Sequence, residues 1–163
     1  MYLFETDKSN DTKMLHFFLI FGIILTYATT LWSIPADNVI LYASDIGLNS
    51  KSSYTLELSI DKDIPATAII VCEFPSSFEL NNVIVAGSTT INGGFALRVK
   101  ENKIILKRSG LGDVVKANSK VDIKFAEIKN PNIEFDDANV RIKITDDEER
   151  VIVSSNVKVN EKK

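Results

Sequence analysis

Histidine, cysteine and tryptophan are almost absent from this 163-residue sequence, which contains one of each. The histidine, His16, and the tryptophan, Trp32, both lie in a hydrophobic N-terminal run. Without another imidazole, the rest of the chain cannot assemble a Ser-His-Asp or Cys-His nucleophile or offer zinc a histidine ligand. The sequence therefore predicts no catalytic residue, no cofactor and no assigned metal ligand, and a protein that is not an enzyme.

The single cysteine, Cys72, excludes an intramolecular disulfide. It lies in the apolar run Ala68–Phe74, AIIVCEF, where a buried and unreactive thiol is the expected state. An intermolecular disulfide is the alternative, because an extracytosolic compartment is oxidising.

Charge is absent from Met14–Ala36. The strongly apolar core of this run, Leu15–Leu25, has the length of a signal-peptide hydrophobic region, about 7–15 residues, whereas the whole run has the length of a spanning helix, about 17–25 residues. Lys8 and Lys13 precede it, and the next basic residue is Lys51. The positive-inside rule therefore predicts a cytosolic N-terminus and a following domain across the membrane.

Small residues at Thr26, Ala28 and Thr30 are typical of a signal-peptide cleavage site. The long leader with its acidic residues argues against cleavage, so a retained anchor stays open beside the cleaved signal that we favour. The sequence divides into a leader (1–13), a signal peptide or signal-anchor helix (14–36) and a β domain (37–163). We expect a secreted or cell-surface protein that meets the membrane through its N-terminal segment.

Apolar and polar residues alternate through the β domain, as in half-buried strands. The clearest runs are Tyr54–Ile60, Val121–Phe125 and Val140–Thr145, and Ala66–Phe74 is apolar on both faces, as in a covered central strand. Other strands and hairpin arms are expected at Val39–Ala43, Val83–Ala86, Phe95–Lys100, Ile104–Arg108, Arg150–Ser154 and Val157–Val159. The pattern predicts an all-β fold, an antiparallel β-sandwich of immunoglobulin-like architecture preceded by an N-terminal hydrophobic helix.

Positive and negative charges are interspersed, with a formal net charge of −3. We therefore expect a mixed, solvated surface without the basic face that phosphate binding requires, and no nucleic acid as a partner.

Short motifs recur in a recognisable order along the β domain. They are SYTLEL at Ser53–Leu58, Ile64-Pro65, Phe74-Pro75 with Phe78, Gly110-Leu111-Gly112 and Asn130-Pro131. In this order the chain resembles, over roughly Asn38–Asn160, an immunoglobulin-like module of surface proteins in ciliates and other microbes. Many such modules carry cysteines around the middle loop, whereas this chain has only Cys72. The resemblance implies an extracellular structural or adhesive role, an unknown protein or surface-matrix partner, and no catalytic residues.

Acidic residues in loops are the remaining candidates for chemistry. They are Asp61 and Asp63, Asp136 and Asp137, and the hairpin turn Asp146–Glu149. Calcium takes six to eight oxygen ligands, which loop carboxylates can supply, but no spacing here matches a calcium loop. A solvated acidic turn is the simpler interpretation. A hydrolase built on two carboxylates has no distinctive pair in the sequence.

The stretch Gly87–Gly94, GSTTINGG, is a polar and flexible connection that is also suited to binding. The β domain has only Tyr42 and Tyr54 besides phenylalanines, which are expected in the core: Phe74, Phe78, Phe95, Phe125 and Phe135. We therefore predict a non-enzymatic, extracytosolic structural or adhesive module. The alternative is a secreted protein that binds a small ligand or carbohydrate through the Gly87–Gly94 loop.

Overall fold

A computed structural model describes residues 38–134 and 138–162. That part of the chain is all-β and contains no helix, hence none that could cross a membrane. The predicted leader and hydrophobic helix, together with Phe135, Asp136 and Asp137, lie outside the described residues. The described residues all lie within the unit Ala36–Lys163.

Nine strands build the domain. They are β1 (Asn38–Ala43), β2 (Lys51–Ser59), β3 (Ile69–Glu73), β4 (Val85–Gly87), β5 (Phe95–Lys100), β6 (Lys103–Arg108), β7 (Val121–Lys129), β8 (Asn139–Thr145) and β9 (Val151–Glu161). The predicted strands are present, with bounds shifted by a few residues at β2, β3, β4 and β7. The two arms expected at 150–154 and 157–159 form the single strand β9. Its central Ser154 and Asn156 point outward, so they do not interrupt it.

The strands form one continuous order, β4-β7-β2-β1-β9-β8-β3-β6-β5. β9 pairs with β8 in antiparallel fashion up to Lys158 and then with β1 in parallel fashion over Val159–Glu161. It therefore joins two layers, which we call sheet I (β4, β7, β2, β1) and sheet II (β8, β3, β6, β5). The prediction of a wholly antiparallel sandwich is wrong at the β1–β9 pair.

The two sheets pack on a core of alternating inward-facing residues. Tyr54 on β2 and Phe125 on β7 meet Phe74, which follows β3, with ring centroids 5.6 Å and 6.3 Å apart in edge-to-face geometry. Such aromatic pairs add to the free energy of apolar burial. On β3, Ile70 and Cys72 are fully buried, while Ile69 and Val71 are only half-buried. The prediction that this strand is covered on both faces is therefore wrong, because its outward face belongs to the surface of sheet II.

Tyr54 also anchors the loop after β1. Its hydroxyl donates to Oδ1 of Asn130 at 2.7 Å, and the Asn130 amide donates to the carbonyls of Asp45 and Gly47 and to Oγ of Ser50. Both Tyr54 and Asn130 are buried. Burial, with a smaller contribution from the charge of Asp45, raises the pKa of Tyr54 well above its usual range, so the hydroxyl remains a donor.

Arg108 at the end of β6 is a buried cation, 2% exposed. Its guanidinium donates to the carbonyls of Ile64 (3.1 Å), Pro65 (2.7 Å) and Asp113 (2.6 Å). Nε has no acceptor among the described residues. Burial lowers the pKa of Arg108, while Asp113 acts in the opposite direction. The side chain thus ties two loops to sheet II.

Candidate functional site

Six cations share the outward face of sheet II. Ile104 and Leu106 on β6 and Ile142 and Ile144 on β8 are fully buried, so the residues between them point away from the core. We call the outward-facing basic residues of β5, β6 and β8 the cationic face: Arg98, Lys100, Lys103, Lys107, Arg141 and Lys143.

Strand register brings these side chains together. One row across the sheet contains Lys100, Lys103, Glu73 and Arg141, because Lys100 pairs with Lys103 and Glu73 pairs with both Lys103 and Arg141. In the next row Ile105 pairs with Arg98 and Val71, and Val71 also pairs with Lys143. The six cations therefore occupy positions that are far apart in the sequence but adjacent in the sheet.

A short apolar strip lies in the middle of the cationic face. It consists of Ile69 and Val71 on β3 and Ile105 on β6, all half-buried. Strands in a sheet lie about 4.8 Å apart, so β5 and β8, which carry the outer cations, are separated by about 14 Å. The strip is thus a shallow apolar floor with positive charge on both sides.

Glu73 is the one acidic side chain in these rows. Its carboxylate lies 3.5 Å from Nζ of Lys103 and 4.0 Å from the Arg141 guanidinium. Among the described residues, Arg98, Lys100, Lys107 and Lys143 have no acidic partner within 4 Å, and all four are exposed. The expectation of an evenly mixed surface is therefore wrong for this face, because alternation sends the basic residues of three strands to the same side.

The Gly87–Gly94 loop is held at both ends. One carboxylate oxygen of Asp122 on β7 accepts the Thr89 backbone N–H at 3.0 Å and the hydroxyls of Thr89 (2.7 Å) and Thr90 (2.9 Å). Burial acts to raise the pKa of Asp122, but these hydrogen bonds and the charge of Lys124 outweigh it, so the pKa lies below its usual range.

The other end of this loop is clamped to the loop after β6. The Asn92 amide donates to Asp113 at 2.7 Å, and the Asp113 backbone N–H donates back to Asn92 at 2.8 Å. Gly93 has φ of +88°, and a side chain there would overlap the backbone of Gly112. The stretch predicted to be flexible is therefore tied down by hydrogen bonds, and its glycines allow close contact between two loops.

An open cleft of about 410 Å³ lies beside this loop on the outward face of sheet I. Its lining is polar and of mixed charge, with Thr89, Thr90, Glu57, Lys120 and Asp122 among the residues. The two threonine hydroxyls already donate to Asp122. The cleft can therefore accommodate a small polar molecule, although its best donors serve the loop.

The acidic turn between β8 and β9 is organised by its own first residue. Asp146 accepts the backbone N–H groups of Glu148 (3.0 Å) and Arg150 (2.9 Å) and pairs with the Arg150 guanidinium at 2.7 Å. These contacts, of which the hydrogen bond from the Arg150 side chain has the largest effect, hold the pKa of Asp146 below its usual range. Asp63 likewise accepts Ala117 N–H at 2.8 Å and Lys116 at 3.1 Å.

No group of three or more metal-ligating side chains exists within the described residues. The acidic turn at 146–149 is therefore a hydrogen-bonded hairpin turn in this structure. The calcium hypothesis for Asp136 and Asp137 concerns residues outside the described part of the chain.

The structure confirms the interpretation of Cys72 as a buried thiol. The side chain is fully buried and unpaired with another cysteine, and burial raises the pKa of the Cys72 thiol to about 12. Tyr54 and most of the described phenylalanines are also core residues, and Phe95 is half-buried. Tyr42 is half-buried on the outward side of β1. These residues therefore build no exposed aromatic platform for a sugar.

Comparisons with known proteins relate this fold to solved structures. No protein-family model matches the sequence, and no curated protein matches it. Domains D2 and D3 of the major pilin SpaD from Corynebacterium diphtheriae superpose with a TM-score of 0.51 and 12% identity, covering 74% of this chain and 50% of that one. The chain therefore spans about half the length of that pilin structure.

Two other solved structures are similar to a large part of this chain. An uncharacterized protein from Nocardia farcinica with an immunoglobulin-like fold has a TM-score of 0.49 and 17% identity, covering 71% of this chain and 81% of its own. A cohesin module from a Clostridium perfringens family 33 glycoside hydrolase has a TM-score of 0.46 and 15% identity, covering 77% and 98%. At these identities the likeness concerns the fold alone. The described residues form an all-β domain of two packed sheets.

Proposed function

We propose that this protein is a non-enzymatic structural or adhesive module of the cell surface or extracellular medium, and that it acts by binding another macromolecule. The observation that carries the proposal is the cationic face of sheet II. Among the described residues, Arg98, Lys107 and Lys143 are exposed there without an acidic partner, around the apolar strip. Such a surface favours contact with a larger partner over enclosure of a small molecule.

The extracytosolic location rests on the sequence. The uncharged run Met14–Ala36 and the lysines before it favour export of the domain that follows. The motif order that resembles surface modules of ciliates and other microbes supports the same location. The protein would then be secreted, or anchored by a single N-terminal span.

Location is tested on the protein recovered from cells. The N-terminal residue distinguishes the two forms: a start near Thr29 or Asp37 means a released domain, whereas a start at Met1 or Met14 means an anchored one. Protease added to intact cells should digest the anchored form. Complete protection of the β domain until the cells are lysed contradicts the proposed location.

Adhesion is tested with beads coated with the full chain and applied to cells of the organism that produces it. We expect wild-type beads to adhere and beads coated with the Lys107→Glu/Lys143→Glu variant to adhere poorly. The matched control, Lys51→Glu/Lys116→Glu, makes the same charge change outside both the cationic face and the cleft beside the Gly87–Gly94 loop and should adhere like wild type. Equal adhesion of all three proteins contradicts a role for the cationic face.

A second function, binding of a small polar ligand or carbohydrate, is favoured by one observation, the 410 Å³ cleft beside the Gly87–Gly94 loop. A glycan array probed with wild type and with Thr89→Ala/Thr90→Ala tests it. Reproducible binding that the double substitution abolishes supports this function, and an array without signal contradicts it.

A further inference from the structure

We infer that the partner presents an acidic polypeptide segment to the cationic face, with apolar side chains on the strip formed by Ile69, Val71 and Ile105 and carboxylates paired with the cations on both sides. This inference rests on the proposed function and specifies the partner's chemistry.

The spacing of the face fits a single polypeptide segment. The outer cations lie on β5 and β8, about 14 Å apart across the sheet. A helix with its side chains is about 10–12 Å wide. A segment of that width would rest on Ile105 and Val71, while Asp or Glu side chains on its two flanks reach Arg98 on one side and Lys143 on the other. Salt bridges to exposed cations then fix the orientation of the segment rather than supply most of the affinity.

A polypeptide fits this face better than a phosphate or sulfate polymer. Glu73 lies in the middle of the row of cations, between Lys103 and Arg141, where it repels a uniformly anionic chain. The strip beside it is apolar and therefore offers nothing to such a chain. None of the residues named on the face is aromatic, so nucleic-acid bases have no stacking platform there.

The size of the face sets the strength of the interaction. Four strands, each about 4.8 Å wide, and about six residues of 3.3 Å rise enclose roughly 400 Å². A standard stable interface buries about 800 Å² on each partner. The contact should therefore be weak and reversible, and it should weaken with salt because exposed charges are screened beyond about 10 Å at 0.1 M ionic strength.

The test is an unbiased selection on the full chain, held in non-ionic detergent and immobilised through a C-terminal tag. A random peptide display library is panned at low ionic strength. The dissociation constants of the selected peptides are then measured for three proteins: wild type, Lys107→Glu/Lys143→Glu and Lys51→Glu/Lys116→Glu. Heparin and duplex DNA are titrated in parallel. Far-UV circular dichroism shows that all three proteins are folded.

We expect the selected peptides to combine acidic and apolar residues. The variant in the cationic face should bind them about tenfold more weakly or worse, because charge reversal places like charges against the carboxylates of the peptide, and interfaces penalise like-charge contacts strongly. The control variant should stay within about twofold. Affinity should fall with added salt.

Four results overturn the inference. Selected peptides without acidic enrichment show that the partner has a different chemistry. Peptides that bind the cationic-face variant and the control variant equally show that they bind at a different site. Failure to select any peptide shows that the face does not recognise polypeptide. Binding of heparin or DNA that exceeds peptide binding and is lost in the face variant assigns the face to a polyanion. If beads coated with wild type still adhere to cells through the cationic face in any of these cases, the proposed function stands and only the partner's chemistry is wrong.

Discussion

The outward faces of the two sheets differ in how their charged side chains are paired. On sheet I, Asp122 and Glu57 lie near Lys124 and Lys162 in ion pairs of 3.8 Å and 3.9 Å, and the Gly87–Gly94 loop is bonded to Asp122 at its edge. On sheet II, cations dominate and most have no acidic partner among the described residues. The inward faces of both sheets are apolar in the same alternating manner. Core packing thus restricts the inward-facing residues to apolar types. The outward-facing residues are free to differ between the sheets and can form binding surfaces.

The sheets also differ in how they hold their loops. Sheet I uses a neutral hydrogen bond from Tyr54 to Asn130, whereas sheet II uses the buried guanidinium of Arg108. Substitutions at these positions test how much each sheet depends on its polar anchor.

The largest effect is expected for Arg108→Met. The Asp113 carbonyl would lose its hydrogen bond from Arg108, while the Ile64 and Pro65 carbonyls would keep backbone donors. Hydrogen bonds to a charged group contribute about 1.5–3 kcal/mol each, and relief from burying the charge offsets part of the loss. We expect the free energy of unfolding to fall by roughly 2–4 kcal/mol in urea titrations followed by circular dichroism. Lys107→Met, on the outward face, should change it by less than about 0.5 kcal/mol. Equal stability of the two variants would show that Arg108 is not an anchor.

A smaller loss is expected for Tyr54→Phe. The ring and its contacts with Phe74 and Phe125 remain, but Oδ1 of buried Asn130 loses its donor. An unsatisfied buried acceptor costs about 1–3 kcal/mol. Tyr42→Phe is the control, since Tyr42 is half-buried on the outward side of β1, and it should be nearly neutral. A loss for Tyr54→Phe no larger than the control's would mean that the loop after β1 is held by other contacts.

Asp122→Asn should reduce stability by about 1 kcal/mol near neutral pH, because charge-assisted hydrogen bonds to the Gly87–Gly94 loop become neutral ones. The folded-state pKa of Asp122 is lowered. The stabilisation from ionised Asp122 is therefore fully present above the ordinary pKa of an aspartate, about 4. It is lost as the pH falls through the lower pKa of Asp122 in the folded protein.

The wild type should consequently lose its advantage over Asp122→Asn in acid. Urea titrations at several pH values measure this convergence, and hydrogen exchange reports whether residues 87–94 open. Asp147→Asn, in the exposed hairpin turn, serves as the control. A stability difference that does not change with pH would argue against the carboxylate as the element that holds the loop.

Sequence alternation predicted most strands and the burial of Tyr54, Cys72 and Phe125, because each strand carries its own period of two. It did not predict the cationic face. That face depends on β3 lying between β6 and β8, a long-range pairing that no single strand encodes. Arg108 was also missed, since arginine is rarely buried and its three carbonyl partners come from two other loops.

The smallest effect is the most informative about the difference between the sheets. Lys100 and Lys103 are directly opposite each other on β5 and β6, and like charges at opposite positions are unfavourable by roughly 0.2–1 kcal/mol. Lys100→Glu replaces this repulsion with attraction, so the free energy of unfolding should rise by about 0.5 kcal/mol. Lys100→Gln, which only removes the repulsion, should give part of the increase. If Lys100→Glu also weakens adhesion of coated beads, sheet II holds its positive charge at a cost in stability, as expected of a surface selected for binding. A variant that is destabilised instead would contradict the expected repulsion between Lys100 and Lys103.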